Sequence, residues 1–446
     1  MNKVILSIIT IFIFTACSSV KDYELKTPNN LDSSANFEIR DWRILGNDAN
    51  LNHLIELAME NNEDVKMALN NLAVAESYLV SAGIKRQPSI DFSANAKESF
   101  ARHTKPVYGH SLSLNLSYEI DLFNRLGKSK QNALYSANIS EFDVENAYQM
   151  IGFSVAKLYY QVVATNKKIE ILEDFVKSYE KTLKLREEQY RFGSITKSVL
   201  LQTKEQFTQN QTKLRSYKLE RDLYENALDI LVYGLNQPKE NTNYANDLLD
   251  DFVMPKTIPS SVMTNRPDIA KAILNVKIKH NEAKIAWNNF FPKFTIFANV
   301  STSGNKDKVF SDPVGAIGLN LLQPLFNLGE TDEQVIRANL AQDNAVLTYE
   351  KTVKTALKEI EDAILKYNNA ELRLKDYDEI IKLEREIYEF NKLKFNEGEI
   401  SFLEFLDSER ALQNSLIEQL ELRLGKVTAG IDAYKAIGVR KLEFRE

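Results

Sequence analysis

The chain has 446 residues, 44% hydrophobic and 26% charged, with a formal net charge of −6. This composition excludes a disordered chain and a bundle of apolar membrane helices, and it supplies enough apolar side chain for a sizeable core. The charges are interleaved and slightly acidic, so there is no electrostatic footprint for a nucleic acid.

The four His (His53, His103, His110, His280) are scattered, the six Met do not cluster, and Cys17 is the only Cys. That argues against a Cys/His metal site, an intrachain disulfide and a Cys–His catalytic pair. At the N-terminus Lys3 precedes a largely apolar run, Val4 to Phe14, followed by Thr15, Ala16, Cys17, Ser18 and Ser19. A basic start, a short apolar centre and small residues before a Cys read as a secretory signal, too short to persist as a spanning helix. The placement of Cys17 after Phe14-Thr15-Ala16 resembles a bacterial lipobox, with Phe14 standing where Leu is usual. That resemblance implies removal of residues 1–16 and a covalent lipid on the Cys17 thiol, and Ser18 is compatible with sorting to the outer membrane. Residues 17–50 are polar and read as an extended tether.

The rest of the chain is written twice. Pro88-Ser89-Ile90-Asp91-Phe92-Ser93-Ala94-Asn95 matches Pro292-Lys293-Phe294-Thr295-Ile296-Phe297-Ala298-Asn299 at an offset of 204 residues. Nearly the same offset relates Tyr190–Ile195 to Phe395–Ile400, Gly234 to Gly438, and Phe123-Asn124 to Phe326-Asn327. The spacing predicts a duplication, with one copy over 51–235, a linker over 236–263, the second copy over 264–438 and a short tail over 439–446. The period is too long for a solenoid unit.

Each copy is expected to hold two strands, at about 88–102 and 108–123 and at about 292–304 and 311–325. Between Ser111 and Leu122 the even positions are Leu112, Leu114, Leu116, Tyr118, Ile120 and Leu122, whereas the odd ones are Ser, Asn, Glu or Asp. Period two puts these on opposite faces. Phe297 breaks the alternation by falling on the polar side. Strands of about ten residues suit a tilted bilayer crossing, apolar side toward lipid and polar side toward a lumen. A soluble sheet with one wet face produces the same pattern, but the secretory signal favours the membrane. Four strands cannot close a membrane barrel, which needs about eight, and open edges are not tolerated in lipid. A barrel therefore requires several chains.

Long helices are expected over about 126–192, 196–233, 329–396 and 400–436, where no Pro occurs; one in a helix interior costs about 3 kcal/mol. The series Ile151, Val155, Leu158, Val162, Thr165, Ile169, Leu172, Val176, Tyr179, Leu183 steps by four and three, as does Ala356, Ile360, Ala363, Tyr367, Ala370, Leu374, Tyr377, Ile381. Both are coiled-coil seams. A helix from Leu126 to Phe192 spans about 100 Å, and a shorter helix from about Asn62 to Lys85 supplies the length that its partner at 196–233 lacks. Gly193 and Gly398 mark reversals at the end far from the strands, where a left-handed cap suits Gly. Glu397, Glu399, Glu404, Asp407 and Glu409 make the second reversal acidic, whereas the first carries Lys197 and Lys204. Glu404 and Asp407, three apart, share a helical face with Leu403 beside them. Repeated around an axis, that face makes an acidic constriction.

In their order and spacing these features resemble the TolC-like outer-membrane factors, particularly the lipid-anchored branch serving RND-type multidrug efflux. The residues that carry the resemblance are Leu54-Ile55-Glu56-Leu57-Ala58 with Asn61-Asn62 and Asp64-Val65, Asn265-Arg266-Pro267-Asp268-Ile269, Phe291-Pro292, Gln323-Pro324-Leu325-Phe326, and Gly398 with Leu406-Asp407-Ser408-Glu409-Arg410. The resemblance implies a mainly α fold with a membrane β-barrel portion: a homotrimer in which three chains share a twelve-stranded barrel continued by an α-helical tunnel through the periplasm. It implies a bacterial outer-membrane location and partners in a periplasmic adaptor and an inner-membrane RND-type transporter. It also implies passive conduction without catalysis or cofactor, a periplasmic gate at Leu403, Glu404 and Asp407, and adaptor docking at the tip turns Gly193 and Gly398. Drugs, metal ions and secreted proteins remain open as cargo, and the scarcity of clustered Met and His disfavours metal. The rival reading is a lipid-anchored periplasmic coiled-coil scaffold without a channel. An enzyme using His103 and His110 near Asp121 has no pocket to work in.

Overall fold

The computed structural model describes residues 19–25, 48–100, 102, 106–234, 244–245, 247, 266–305, 308–324 and 326–438. Outside them lie the signal, Cys17, most of the tether and of the 236–263 linker, His103, Asn265, Leu325 and the tail. The elements follow in the order α1 (Ala49–Asn61), α2 (Glu63–Ile84), β1 (Ser89–Ser99), β2 (Val107–Ile120), α3 (Arg125–Arg191), α4 (Lys197–Tyr233), α5 (Pro267–Asn288), β3 (Lys293–Gly304), β4 (Val314–Leu322), α6 (Glu330–Glu397) and α7 (Phe402–Ile437).

The proline-free spans hold α3 and α6, uninterrupted helices of 67 and 68 residues and about 100 Å each. The seam residues Ile151, Val155, Val162, Thr165, Ile169, Leu172 and Tyr179 of α3 are buried, as are Ala356, Ile360, Ala363, Tyr367 and Ala370 of α6. α2 and α4 both lie along α3, α5 and α7 both lie along α6, and α5 and α7 also touch α3. The largest core lies midway. There Leu51, Leu54, Ile55 and Ala58 of α1 pack on Val155, Tyr159, Tyr160 and Val163 of α3 and on Leu228 and Val232 of α4. Asp48 caps α1 by accepting from the Asn50 and Leu51 N–H groups, and Tyr159 donates its hydroxyl to the same carboxylate. Arg266 ties three helices together by donating to Asp268, to Glu359 of α6 and to the Ala436 carbonyl of α7.

The four strands form one antiparallel sheet in the order β1-β2-β3-β4. Cross-strand partners share a face, and the pairs Phe92↔Leu114, Leu114↔Val300 and Ala298↔Ile317 carry one apolar face through all four strands. That face is uncovered: Ile317 is 81% exposed, and Ile90, Phe92 and Leu319 are also exposed. The opposite face is polar, with the Ser93 and Ser113 hydroxyls 2.7 Å apart and Asn115 donating to Ser113. The exception, Phe297, pairs with Gly318 of β4, and a Cβ on that glycine would stand 2.7 Å from its ring. The aromatic ring fills the space of a missing side chain. β1 stops at Ser99, short of 102. β4 is shorter than the expected 311–325 because Pro313 and Pro324 bracket it without an N–H to donate. Among the described residues the outer edges of β1 and β4 have no partner, so further chains must complete the wall, and the sheet matches one third of a twelve-stranded barrel formed on trimerisation.

Residues 19–25 form a strap along α5 and α6. Asn339 donates to the Ser19 carbonyl and accepts from the Lys21 N–H, Gln342 donates to the Lys21 carbonyl, and Lys21 pairs with Asp343 at 2.9 Å. Further along, Tyr23 meets the His280 ring edge-on, and Tyr23 and Leu25 pack against the apolar cluster that α5 and α6 form around Ile269, Val276, Tyr349 and Val353. Because Asn339 lies nearer the start of α6 than Tyr349, the Ser19 end of the strap points toward the barrel.

Candidate functional site

At the end far from the sheet both hairpins reverse through a glycine. Gly193 and Gly398 have φ of 74° and 79°, a left-handed conformation in which a Cβ is strained. In both turns a six-to-one bond closes the helix, from the Ser194 N–H to the Gln189 carbonyl and from the Glu399 N–H to the Lys394 carbonyl. The helices that follow start differently. Thr196 accepts from the Val199 N–H at a long 3.5 Å. Ser401 forms a full capping box, its hydroxyl accepting from the Glu404 N–H at 3.2 Å and the Glu404 carboxylate accepting from the Ser401 N–H at 2.8 Å.

This box fixes the rotation of the first turns of α7. Phe402, Leu406 and Glu409 turn inward and are buried, while Leu403 (49% exposed), Glu404 and Asp407 share the open side. Asp407 has Arg410 beside it at 3.4 Å. One carboxylate is thus held by backbone N–H and the other by a cation, and both arrangements offset repulsion between copies of the face. Glu409, counted with the tip acids in the sequence, does not belong to this surface. It is 3% exposed on the opposite side of α7, and burial raises its carboxyl pKa. The Tyr179 hydroxyl lies against it without reaching hydrogen-bond geometry, and burial raises that phenol as well.

Several residues that hold the tip are invisible to sequence periodicity. Arg186 of α3, 8% exposed, places its guanidinium 5.0 Å from the Phe395 ring and 4.6 Å from that of Phe402, stapling the first hairpin to the turn of the second. Burial lowers its pKa. Phe395 stacks on Phe405 at 5.2 Å, and Tyr388 adjoins the same ring. Below them, Arg410 donates to Gln206 at 2.9 Å and Gln413 to Asn210 at 2.7 Å, joining α7 to α4. Lys168 of α3 pairs with Glu421 of α7 further along. No signal in the sequence pairs these positions, which are brought together only by the side-by-side packing of the two copies. Among the described residues no group of three His, Cys, Asp or Glu is placed to hold a metal ion.

One third of a membrane barrel, continuous with helices of about 100 Å that turn back at a tip bearing an acidic face, defines an outer-membrane channel subunit with a periplasmic tunnel. The chain belongs to the outer membrane efflux protein family, whose pattern matches residues 54–232 and 258–439. It is similar to the pyoverdine export outer membrane protein OpmQ of Pseudomonas aeruginosa, with 25% identity covering 90% of this chain and 87% of OpmQ. It is also similar to the cation efflux system protein CusC of Escherichia coli O6:H1, with 24% identity covering 95% of this chain and 96% of CusC. In fold it matches the CmeC outer membrane channel of Campylobacter jejuni with a TM-score of 0.83 at 22% identity, covering 95% of both chains. As a member of this family it is the outer-membrane channel of a tripartite efflux system and passive rather than enzymatic. It assembles as a homotrimer with a periplasmic adaptor and an RND-type inner-membrane transporter. The scaffold reading without a channel is not favoured.

Proposed function

We propose that Leu403, Glu404 and Asp407 form the periplasmic gate of this channel, that the adaptor docks on the turns at Gly193 and Gly398, and that Cys17 carries the lipid anchor. The observation that carries the gate is the division of α7 by its capping box: Phe402 and Leu406 packed into the tip, Leu403, Glu404 and Asp407 left together on the open side. Three copies around the trimer axis make an apolar ring edged by carboxylates. Opening swings the tips outward against the packing of Phe395, Phe402 and Arg186. The direction of the strap, with Ser19 toward the barrel, supports an anchor at Cys17 two residues earlier. The polar strand face carries Ser, Asn and Thr side chains with separate charges at Asp91, Lys97, Glu119 and Lys293, which supports a lumen that gives passage while the choice of cargo rests with the transporter.

The test is electrical. The Glu404→Ala/Asp407→Ala trimer in a planar bilayer is expected to show a higher resting conductance than the wild type and to lose block by multivalent cations. Unchanged conductance and block would reject the gate assignment. Replacing Cys17 by Ala behind a working signal peptide should leave a trimer that is still membrane-integral but lacks the lipid mass.

A further inference from the structure

The seam between α3 and α5 runs in antiparallel register toward the membrane. Lys277 lies over the Tyr135 ring, Asn281 donates to Gln131 and Asn132 at 3.0 and 2.9 Å, and Asn288 donates to the Phe123 carbonyl at 2.7 Å. One turn from Asn281 toward the barrel, this register sets Lys284 opposite Lys128. The two ammonium groups feel each other: burial, and then the charge of Lys284, hold the Lys128 pKa below the usual lysine range. Neither lysine has an ion-pair partner among the described residues. Acids on the same turns are engaged elsewhere, Asp121 by the Leu126 and Gly127 N–H groups, Glu119 by Arg125 and Glu282 by Lys279.

On the barrel side of this pair stands an aromatic cluster. Phe123 stacks on Phe291 at 4.5 Å, and Trp287 meets Phe291 edge-on at 4.7 Å. Aromatic side chains of this kind mark the membrane–water interface of outer-membrane barrels. Lys284 is one turn from His280, which the strap covers through Tyr23, so the pair lies on the strap-bearing face of the wall. That this face is the outer one rests on the lipid anchor proposed above, because a strap leading to membrane lipid cannot run inside a closed tunnel. Two unpaired, half-buried cations that repel each other at the level of lipid headgroups are an incomplete site, and an anion completes it.

We propose that Lys128 and Lys284 seat the phosphodiester of an anionic phospholipid in the periplasmic leaflet, with its acyl chains over Trp287, Phe291 and the apolar face of the barrel. One lipid binds per protomer. The repeat-related positions, 204 residues away, are Asp332 and Val80, which cannot form a second seat.

The test uses the full-chain trimer in non-ionic detergent, with native mass spectrometry after addition of phosphatidylglycerol or phosphatidylcholine. The wild type should retain phosphatidylglycerol about tenfold better than phosphatidylcholine, up to one per chain. The Lys128→Gln/Lys284→Gln trimer should lose that preference, while Lys128→Arg/Lys284→Arg keeps it. Equal retention of the two lipids by the wild type, undiminished retention by the glutamine pair, or displacement by millimolar inorganic phosphate would each overturn the proposal. If the glutamine pair does not assemble, the selectivity of the wild type decides alone. The covalent lipid on Cys17 appears in the same sample as a fixed mass on each denatured chain, so failure of the anchor and failure of the seat are read separately.

Discussion

α4 and α7 occupy the same place in the two copies of the repeat, yet only six of 37 residues are buried in α4 against 17 of 36 in α7. Near the tip α4 buries Thr203, Gln206 and Asn210, while α7 buries Phe402, Leu406 and Glu409. α7 lies inside the chain, between α3 and α6. α4 lies on its flank and leaves Leu201, Leu219, Leu223 and Ile230 open, just as α6 on the other side leaves Leu365, Leu372, Leu383 and Ile387 open. The duplication kept the backbone devices, a left-handed glycine in each turn, and let the side chains diverge. The second tip is packed around aromatic and aliphatic side chains, whereas the first is held to it by the polar side chains of Gln206 and Asn210.

The largest effect is expected where that difference is greatest. Leu406→Ala, at a site 1% exposed, should cost about 3 kcal/mol of protomer stability in urea unfolding. Leu201→Ala, on an open surface, should change it by less than about 0.5 kcal/mol and instead loosen the trimer, read as a lower native mass on dilution. Equal costs at the two sites would dissolve the distinction. Arg186→Ala removes a buried cation from between two rings and should cost about 2 kcal/mol, with amide-exchange protection lost at the start of α7 and kept in α4. Ser401→Ala breaks a full capping box and should cost about 1 kcal/mol, more than Thr196→Ala at its long bond.

The smallest effect is the dependence on pH. Because the folded-state pKa of Glu409 is raised by burial, its contribution to stability is fully present below the ordinary carboxylate pKa and is lost as pH rises through the raised value. The thermal midpoint of the wild type should therefore fall as pH rises through that window, and Glu409→Gln should flatten the fall. An equal slope in both proteins would remove Glu409 as the titrating group.

Much of the architecture is legible in the sequence alone. Absent prolines and the four–three spacing around Leu172 and Ile360 give the long helices, period two around Leu114 gives the strands, and Gly193 and Gly398 give the reversals. All of these are local signals, visible within a dozen residues. Phe297 is misread as an irregularity because Gly318, which it covers, lies in another strand. The burial of Glu409, the position of Arg186 between Phe395 and Phe402, and the facing of Lys128 and Lys284 depend on how the two copies lie side by side. A carboxylate at the tip looks the same in sequence whether it faces a lumen or a tyrosine, so counting acids there overstates the exposed charge by the buried Glu409.

The proposed gate at the second tip is tested most directly by block of single trimers in planar bilayers by a multivalent cation added from the periplasmic side. Glu404→Gln/Asp407→Asn, which removes charge while leaving a side chain able to close the capping box, should abolish the block. Lys197→Ala/Lys204→Ala at the first tip should leave the block as in the wild type. Persistent block in the Gln/Asn channel, or its loss on changing the first tip alone, would contradict a gate at Glu404 and Asp407.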